Sequence, residues 1–448
     1  MKGNPRQVVF NALYEIIIKD AYAEVARDRA LAKTDLTSQD QRFVSELIYG
    51  IVRRQRTLDA LIDQFASKPV SQQPPKLRLI LLIGLYQLRY LTQVPDSAAV
   101  DTSVKLAKTN GLGKLSGVIN GILRNYSRQQ ETNADPLKLP DDPIQRIGIL
   151  YSFPDWMVKL WWEEFGEESA IALAQWFNQA PNIDLRINPR QTSQETVENA
   201  FTEANINYSP LPLPNGLRLT SGGGNIQQLP GFSQGWWTVQ DYSAQLVSYL
   251  LNPQPGETII DACAAPGGKS THIAELMGDQ GIIYSSDRAS SRLKKVTQNA
   301  QRLKLNSIQT CVGDVRNLLQ FKNSSDRVLV DAPCSGLGTL HRRTDLRWRQ
   351  TPENLLQLAQ LQQEILTEAA TWVKPNGILV YATCTINPLE NEEVIQAFLA
   401  NHPQWQIIPP AENFPAPSLV SPSNYLKIMP TENNSDGFFM VKLKLMPS

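Results

Sequence analysis

The chain has 448 residues, enough for two or three domains with well-formed cores. Its composition, 42% hydrophobic and 19% charged, is that of an ordinary globular protein, and no apolar run approaches the roughly 20 residues of a membrane-spanning helix. The 43 basic and 43 acidic residues cancel, so net charge alone indicates no nucleic-acid partner, and the lack of an apolar leader predicts a cytoplasmic protein.

The four cysteines and three histidines are scattered along the chain, and no Cys-x-x-Cys pair occurs. This spacing predicts that the protein binds no metal. A disulfide framework is not expected in a chain of this size without a secretion signal. The thiols are therefore free, and their local context decides whether they fill the core or act as nucleophiles.

The first 128 residues predict a compact all-helical domain. Apolar residues recur at helical spacing in four stretches of this region (41–65, 76–91, 98–108 and 115–125), and proline or glycine turns separate them. This region has 19 Lys/Arg against 11 Asp/Glu, a surplus of eight positive charges. Clustered cations favour RNA binding, with a solvated basic face as the equally weighted alternative. A second cationic cluster spans Arg342 to Arg349, with four arginines.

Residues 129–145 are polar and contain prolines, which predicts a linker. The following residues, 146–235, predict helices and then a small α/β subdomain, with strands near 183–187 and 217–219 and a helix near 193–204. The tryptophans and phenylalanines between 156 and 177 have helical spacing. They are typical of a core rather than of a platform on which bases stack.

Residues 236–448 alternate short apolar runs with helical patterns, which predicts a mostly parallel sheet covered by helices on both faces. The predicted strands are 258–262, 281–286, 308–312, 326–331 and 377–383, and the predicted helices are 268–277, 289–303, 353–373 and 389–400. Ligands bind such sheets at the carboxyl ends of the strands. The loops that follow each strand are therefore the candidate site.

The first of these loops, Asp261-Ala-Cys-Ala-Ala-Pro-Gly-Gly-Lys269, joins a strand to a helix through Gly267 and Gly268. These glycines allow a ligand to approach the backbone closely. A phosphate-binding P-loop needs glycine where Cys263 stands, and a dinucleotide-binding G-x-G-x-x-G is also missing. Both nucleotide motifs are thus excluded.

Three carboxylates follow successive strands. Asp287 closes the second strand, where it can accept both hydroxyls of a ribose, and Asp314 follows the third, where it can accept from an adenine amino group. Asp331 closes the fourth. An isolated acid at such a position is usually a cap, but three on one sheet edge favour a nucleoside cofactor.

Two thiols also follow strands: Cys334 in Asp331-Ala-Pro-Cys-Ser335 and Cys384 in Tyr381-Ala-Thr-Cys384. Both are expected in one cleft. Methylation of cytosine explains such a pair, because addition of a thiolate to C6 makes C5 nucleophilic enough to take a methyl group. The thiol needs an activating cation or hydrogen bond, for which Lys269 is a candidate, and Asp331 can hydrogen-bond the N3/N4 edge of the base.

Together with Trp237-Thr-Val-Gln-Asp-Tyr-Ser-Ala-Gln-Leu246, these motifs resemble the RsmB (Sun/Fmu) family of 16S ribosomal RNA cytosine-C5 methyltransferases, within the NOL1/NOP2/Sun group. The resemblance covers nearly the whole chain. It implies a class I methyltransferase domain (a Rossmann-like, seven-stranded, mostly parallel sheet), preceded by a NusB-like helical RNA-binding domain and the small α/β subdomain.

The resemblance also implies site roles. S-adenosylmethionine would be held by Asp287, Asp314, Asp331 and the loop residues Cys263, Ala264, Ala265, Pro266, Gly267, Gly268 and Lys269. Cys384 would attack the base, and Cys334 would assist release. The chain departs from the family pattern at Thr383-Cys384-Thr385 and in the basic loop His341-Arg-Arg-Thr-Asp-Leu-Arg-Trp348.

The expected function is methylation of C5 of one cytosine of 16S ribosomal RNA, either free or in an assembling small subunit. The target base must be flipped or single-stranded, because a stacked cytosine hides C6. One alternative is the same chemistry on transfer RNA or large-subunit RNA. Another is a non-catalytic RNA-binding assembly factor that retains the fold, which the intact cysteine motifs disfavour.

Overall fold

A computed structural model describes residues 3–133, 135–221 and 224–446 of the chain. The chain forms two compact units: the first comprises the residues up to 179 together with 340–349, and the second comprises 180–339 and the residues from 350 onward. Ala134, inside the predicted linker, lies outside the described residues. Among the helices of the described ranges, none has the length and hydropathy needed to cross a bilayer.

The first unit is entirely helical apart from its connections. Its helices in chain order are α1 (Pro5–Leu13), α2 (Ala23–Leu31), α3 (Ser38–Arg53), α4 (Gln55–Phe65), α5 (Pro75–Tyr90), α6 (Asp96–Thr109), α7 (Ser116–Thr132), α8 (Pro143–Tyr151), α9 (Asp155–Phe165) and α10 (Glu167–Trp176). Polar side chains cap the first turns of some of these helices, including α3 and α8. The Thr37 hydroxyl accepts from the Asp40 amide at 3.2 Å before α3, and Asp142 accepts from the Gln145 amide at 2.8 Å before α8.

Helix α5 is the centre of this unit. Its residues Leu79 to Ile83 are all fully buried, so it is apolar on every face, as a helix surrounded by other helices must be. The predicted aromatic core is confirmed for Trp161 and Phe177, which are both fully buried and lie with ring centroids 5.6 Å apart. These rings are packed inside the unit and cannot stack on bases.

The second unit begins with a four-stranded antiparallel sheet. Its elements are β1 (Ile183–Ile187), α11 (Gln194–Glu203), β2 (Asn207–Pro210), β3 (Gly216–Ser221) and β4 (Trp237–Val239). The strand order is β2-β3-β1-β4. Phe201 of α11 packs edge-to-face on Trp237, with ring centroids 6.0 Å apart, which holds the helix against one face of the sheet.

A large sheet covered by helices completes the second unit. The remaining elements in chain order are α12 (Tyr242–Leu251), β5 (Thr258–Asp261), α13 (Gly268–Leu276), β6 (Ile282–Asp287), α14 (Ser290–Arg302), β7 (Ile308–Val312), β8 (Ser325–Asp331), α15 (Leu346–Arg349), α16 (Pro352–Ala370), β9 (Val373–Thr383), α17 (Glu392–Asn401), β10 (Trp405–Ile407), β11 (Tyr425–Ile428), α18 (Pro430–Asn433) and β12 (Phe438–Leu445). Of these, α15 belongs to the first unit.

The strand order of this sheet is β10-β12-β9-β8-β5-β6-β7, and β11 pairs with β12 outside that path. The pairs from β9 through β7 are parallel, whereas β12 is antiparallel to its neighbours. The predicted fold class, a mostly parallel sheet between helices preceded by a helical domain, is confirmed. The sheet has eight strands rather than seven, because β11 adds a short antiparallel strand.

The topology brings the carboxyl ends of five strands to one edge of the sheet. The order β9-β8-β5-β6-β7 changes direction between β8 and β5, where connections leave toward opposite faces. Ligands bind open parallel sheets at such a switch point. The loops after β5 and β8 therefore border the natural cleft of the fold.

Candidate active site

The two predicted cysteines meet at this edge. Strands β8 and β9 are parallel neighbours with Asp331 opposite Ala382, so the loops after them leave the sheet side by side. Cys334 lies three residues beyond Asp331, and Cys384 directly follows the last residue of β9. Their Sγ atoms are 3.3 Å apart, within hydrogen-bonding distance for thiols.

Backbone contacts fix the two loops against each other. The Gly338 amide donates to the Cys384 carbonyl at 3.0 Å, and the Gly437 amide donates to the Gly338 carbonyl at 2.8 Å. A Cβ added at Gly338 would lie 2.0 Å from the Gly437 carbonyl oxygen. Only glycine permits this approach, so the Cys334 loop has little freedom to move away from Cys384.

The surroundings of Cys334 favour its protonated form. The pKa of Cys334 is raised well above that of an ordinary thiol, first by its hydrogen bond with Cys384, then by burial and by the negative charges of Glu390 and Asp331. A thiol with a raised pKa keeps its proton at neutral pH. Cys334 therefore retains a proton, and either sulfur of the pair can be the hydrogen-bond donor.

Lys269 and Asp331 form an ion pair beside the cysteine loops, with Nζ and Oδ2 2.6 Å apart. The Lys269 side chain is 12% exposed, and its Nζ lies 5.0 Å from the centroid of the Phe438 ring. The sequence predicted one site containing both residues, and the structure brings them into direct contact. Because Asp331 already binds the ammonium group, activation of a thiol by Lys269 remains a prediction.

The cofactor loop predicted after the first strand lies between β5 and α13. Gly267 has φ of 101°, and a Cβ there would lie 3.0 Å from the Cα of Val296 on α14. The glycine is thus required by helix packing as well as by the turn. The Ala264 amide donates to the Ser286 carbonyl at 2.8 Å, which ties the loop to the end of β6.

The two remaining strand-end acids lie where the pattern predicted them. Asp287 ends β6, where it accepts from the Ala289 amide at 2.9 Å and pairs with Arg292 at 3.0 Å. Asp314 follows β7 and accepts from Arg316, which lowers the pKa of this carboxyl. Both lie on the same sheet edge as the cysteines, and their contact with a cofactor remains a prediction.

Cys263, in the predicted cofactor loop, is partly enclosed. Burial raises the pKa of the Cys263 thiol, an effect strengthened by the charges of Asp261 and Asp331. Cys263 is therefore protonated and is no candidate nucleophile. Pro266, Ala265 and Gly268 complete the short loop, and a Cβ at Gly268 would lie in ordinary van der Waals contact with the Gln240 side chain, 3.9 Å away.

The basic segment after the Cys334 loop differs from its prediction as a phosphate-binding cluster. It belongs to the first unit, and Arg347 is fully buried there. Its guanidinium donates to the carbonyls of Arg53 at 2.9 Å and Phe177 at 3.1 Å. Arg349 pairs with Asp345 at 3.1 Å. The expectation that this cluster binds phosphate is therefore wrong for Arg347, because its donors are used by the protein.

Sequence reasoning also missed residues that support the site. Asp261, inside the cofactor-loop motif, is fully buried and accepts from the Ser270 hydroxyl at 2.6 Å. Burial raises the pKa of Asp261 to about 7. Its place at a strand end was the available signal, shared with the three acids that were selected.

Arg186 of β1 is the second residue that was missed. It is buried, pairs with Glu275 at 2.7 Å, and donates to the Gly268 carbonyl at 2.8 Å. It therefore joins the small antiparallel sheet to the first turn of α13. Nothing in the local sequence distinguishes this arginine, because its partners lie 54 to 89 residues away along the chain.

Known proteins match the chain along its length. A model described as 16S rRNA methyltransferase RsmB/F matches residues 248–444, one described as NusB family matches 3–128, and one described as a ferredoxin-like domain of RsmF/B-like methyltransferases matches 153–226. The crystal structure of PH0851 superposes with a TM-score of 0.82 at 25% identity, covering 99% of both chains.

Curated relatives extend the match to the whole chain. A probable ribosomal RNA small subunit methyltransferase B of Synechocystis is 51% identical over 443 residues, 98% of this chain and 99% of the relative. Its Bacillus subtilis counterpart is 33% identical over 449 residues, 99% of both chains. The motif-based resemblance is thereby confirmed: this chain belongs to the family of ribosomal RNA small subunit methyltransferase B.

Proposed function

We propose that this protein transfers a methyl group to C5 of a specific cytosine in 16S ribosomal RNA through a covalent adduct between Cys384 and C6. The observation that carries the proposal is the pair of sulfurs 3.3 Å apart at the ends of adjacent parallel strands. The matching relatives are named for small-subunit ribosomal RNA, which supports the substrate class.

The donor chemistry of the sheet edge fits S-adenosylmethionine. Asp287 and Asp314 offer carboxylate acceptors for the ribose hydroxyls and the adenine amino group, and the loop from Cys263 to Lys269 offers small residues and backbone groups for the remainder. When bound, the cofactor supplies an electrophilic methyl group on a sulfonium.

The protein's part in the reaction is to make C5 nucleophilic. The Cys384 thiolate adds to C6, and Asp331 accepts a hydrogen bond from the exocyclic amine of the base while Lys269 balances its charge. Cys334, held as a thiol by its surroundings, then donates to the Cys384 sulfur when that sulfur leaves C6. This division assigns attack to one cysteine and release to the other.

The helical domain is the part of the chain proposed to dock RNA. Its residues up to 128 have a surplus of eight positive charges and match the NusB family. Phosphate contacts from such a surface position the substrate without reading its sequence. The RNA is free 16S ribosomal RNA or an assembling small subunit in the cytoplasm.

Two cysteine variants test the assignment. Cys384→Ser is expected to abolish methylation and leave binding of S-adenosylmethionine nearly intact. Cys334→Ser is expected to trap a covalent protein–RNA adduct, visible as a slowly migrating band on a denaturing gel. The opposite pattern, with the adduct in Cys384→Ser and simple loss of activity in Cys334→Ser, reverses the two roles.

The substrate is tested separately. Bisulfite sequencing of total RNA from a deletion strain is expected to reveal one unmethylated cytosine in 16S ribosomal RNA that is methylated in the parent strain. If the methyl group is lost from transfer RNA or large-subunit RNA instead, the proposed reaction stands but the proposed substrate is wrong.

A further inference from the structure

Glu390 is a buried carboxylate that the chemistry above does not use. It follows the Cys384 loop, its side chain is fully buried, and it extends to the Cys334 loop. Oε1 accepts from the Ser335 amide at 2.8 Å and from the Gln362 side chain at 3.1 Å, and Oε2 accepts from the Ser335 hydroxyl at 2.5 Å. The Asn387 amide group lies 3.5 Å from Oε2.

Burying a carboxylate is costly unless its oxygens are well hydrogen-bonded. Glu390 has four neutral donors, and two of them belong to Ser335, the residue directly after Cys334. Hydrogen bonds to a charged acceptor are stronger than those between neutral groups. The carboxylate therefore holds the Cys334–Ser335 peptide more firmly than a neutral side chain would.

The same network reaches the other cysteine. The Ser335 hydroxyl lies 3.1 Å from the hydroxyl of Thr385, which directly follows Cys384. Tyr381 lies near the end of β9, shortly before Cys384. Its hydroxyl donates to the Glu390 main-chain carbonyl at 2.7 Å. Glu390 is thus bonded to the residue after one cysteine and to the strand that carries the other.

We propose that Glu390 is a positioning residue that holds the Cys334 sulfur against the Cys384 sulfur and is thereby required for release of the methylated RNA. The inference rests on the proposed division of roles between the cysteines. The negative charge of Glu390 supports the same role, because it helps to raise the pKa of Cys334 and keep that sulfur protonated.

The step that depends on this geometry is the elimination. The C5 proton passes to a water molecule acting as base, and the C5–H electron pair forms the C5–C6 double bond. The C6–S bond breaks, and its electrons leave on the Cys384 sulfur as a thiolate. The Cys334 thiol stabilises that thiolate by a hydrogen bond, which requires the two sulfurs to remain in contact.

The test measures the covalent adduct in the full-length protein with 16S ribosomal RNA and S-adenosylmethionine. Glu390→Ala frees the Ser335 peptide, and a displacement of about 1 Å is expected to slow release about 100-fold. The adduct should then accumulate as it does in Cys334→Ser. Glu390→Gln keeps the side-chain length and an oxygen for the Ser335 amide, so its release should stay within about tenfold of the wild type.

Two further variants separate positioning from folding. Ser335→Ala removes the hydroxyl bonded to Glu390 but not the amide, and it is expected to accumulate an intermediate amount of adduct. Asp326→Asn alters a carboxylate at the opposite end of β8, where Asp326 accepts from the Thr258 amide at 2.8 Å, and it is expected to accumulate none.

The outcomes separate this inference from the proposal on which it rests. If Cys334→Ser forms no adduct, the assignment of Cys334 to release fails. If Cys334→Ser forms the adduct but Glu390→Ala turns over normally, or loses methylation without an adduct, only the role of Glu390 is overturned. If Glu390→Gln accumulates as much adduct as Glu390→Ala, release depends on the negative charge of Glu390 and the positioning role is overturned.

Discussion

Arg347 is expected to stabilise the first unit rather than bind RNA, and replacement by methionine tests this. Methionine retains apolar contact with Phe153, whose ring centroid lies 4.1 Å from the guanidinium carbon, but removes every donor. The acceptors that would lose a donor are the carbonyls of Arg53, Ser152, Phe177 and Leu340 and the side chain of Asn178.

The expected loss of stability follows from these contacts. A hydrogen bond from a charged donor contributes about 1.5–3 kcal/mol, but five of them do not add, because burial of the guanidinium itself is unfavourable. That burial lowers the pKa of Arg347 well below the usual arginine value. Each buried carbonyl left without a donor costs about 1–3 kcal/mol, and loss of the buried charge offsets part of this, so we expect a net destabilisation of about 3–5 kcal/mol. For a unit of this size, that lowers Tm by about 10 °C.

Hydrogen exchange is the suitable assay, because a chain of two units need not unfold in one step. Peptides from α4 and α9 should exchange faster in Arg347→Met, while peptides from β8 and β9 should not change. The control is Arg42→Met, a change at an exposed arginine of α3 in the same unit, which should alter stability by less than about 0.5 kcal/mol. Unchanged exchange with a weaker, less salt-dependent RNA affinity in Arg347→Met would refute the reasoning.

Three further predictions concern the second unit. Gly338→Ala should lower kcat at least about tenfold and also lower stability, because its Cβ would collide with the Gly437 backbone and force the Cys334 loop away from it; normal kcat would contradict this. Arg186→Met should raise the Kd of S-adenosylmethionine in calorimetry, since Gly268 loses its donor, whereas an unchanged Kd would assign Arg186 to folding alone. Burial raises the pKa of Asp261 to about 7, above its unfolded value of about 4, so folded-state stability should fall as pH rises between these values. The free energy of unfolding in urea should lack that pH dependence in Asp261→Asn. An equal slope of this free energy against pH in both proteins would exclude a contribution from Asp261.

The sheet and its cysteines were predictable because their signals are local. Each strand of the large sheet is an apolar run followed by its own loop, so Cys334 and Cys384 could be assigned to strand ends from the sequence alone. Their contact follows from the parallel pairing of β8 with β9, which the alternation of strands and helices implies. The strand-end acids were predictable for the same reason.

The supporting residues were not predictable, because their partners are distant in the chain. Arg347 reads as a surface cation, yet three of the carbonyls that accept from it lie 170 or more residues before it. Arg186 and Glu390 likewise lack a local pattern that distinguishes a buried charge from an exposed one. Periodicity locates elements and motifs, but the burial of a charged side chain depends on which elements meet.

The most direct test of the mechanism identifies the sulfur that bonds to the base. 16S ribosomal RNA transcribed with 5-fluorocytidine cannot lose a proton from C5, so the enzyme should remain covalently attached after methyl transfer. Mass spectrometry of the digested complex is expected to find the modified pyrimidine on Cys384. A pyrimidine attached to Cys334, or a full turnover without any attachment, would contradict the account.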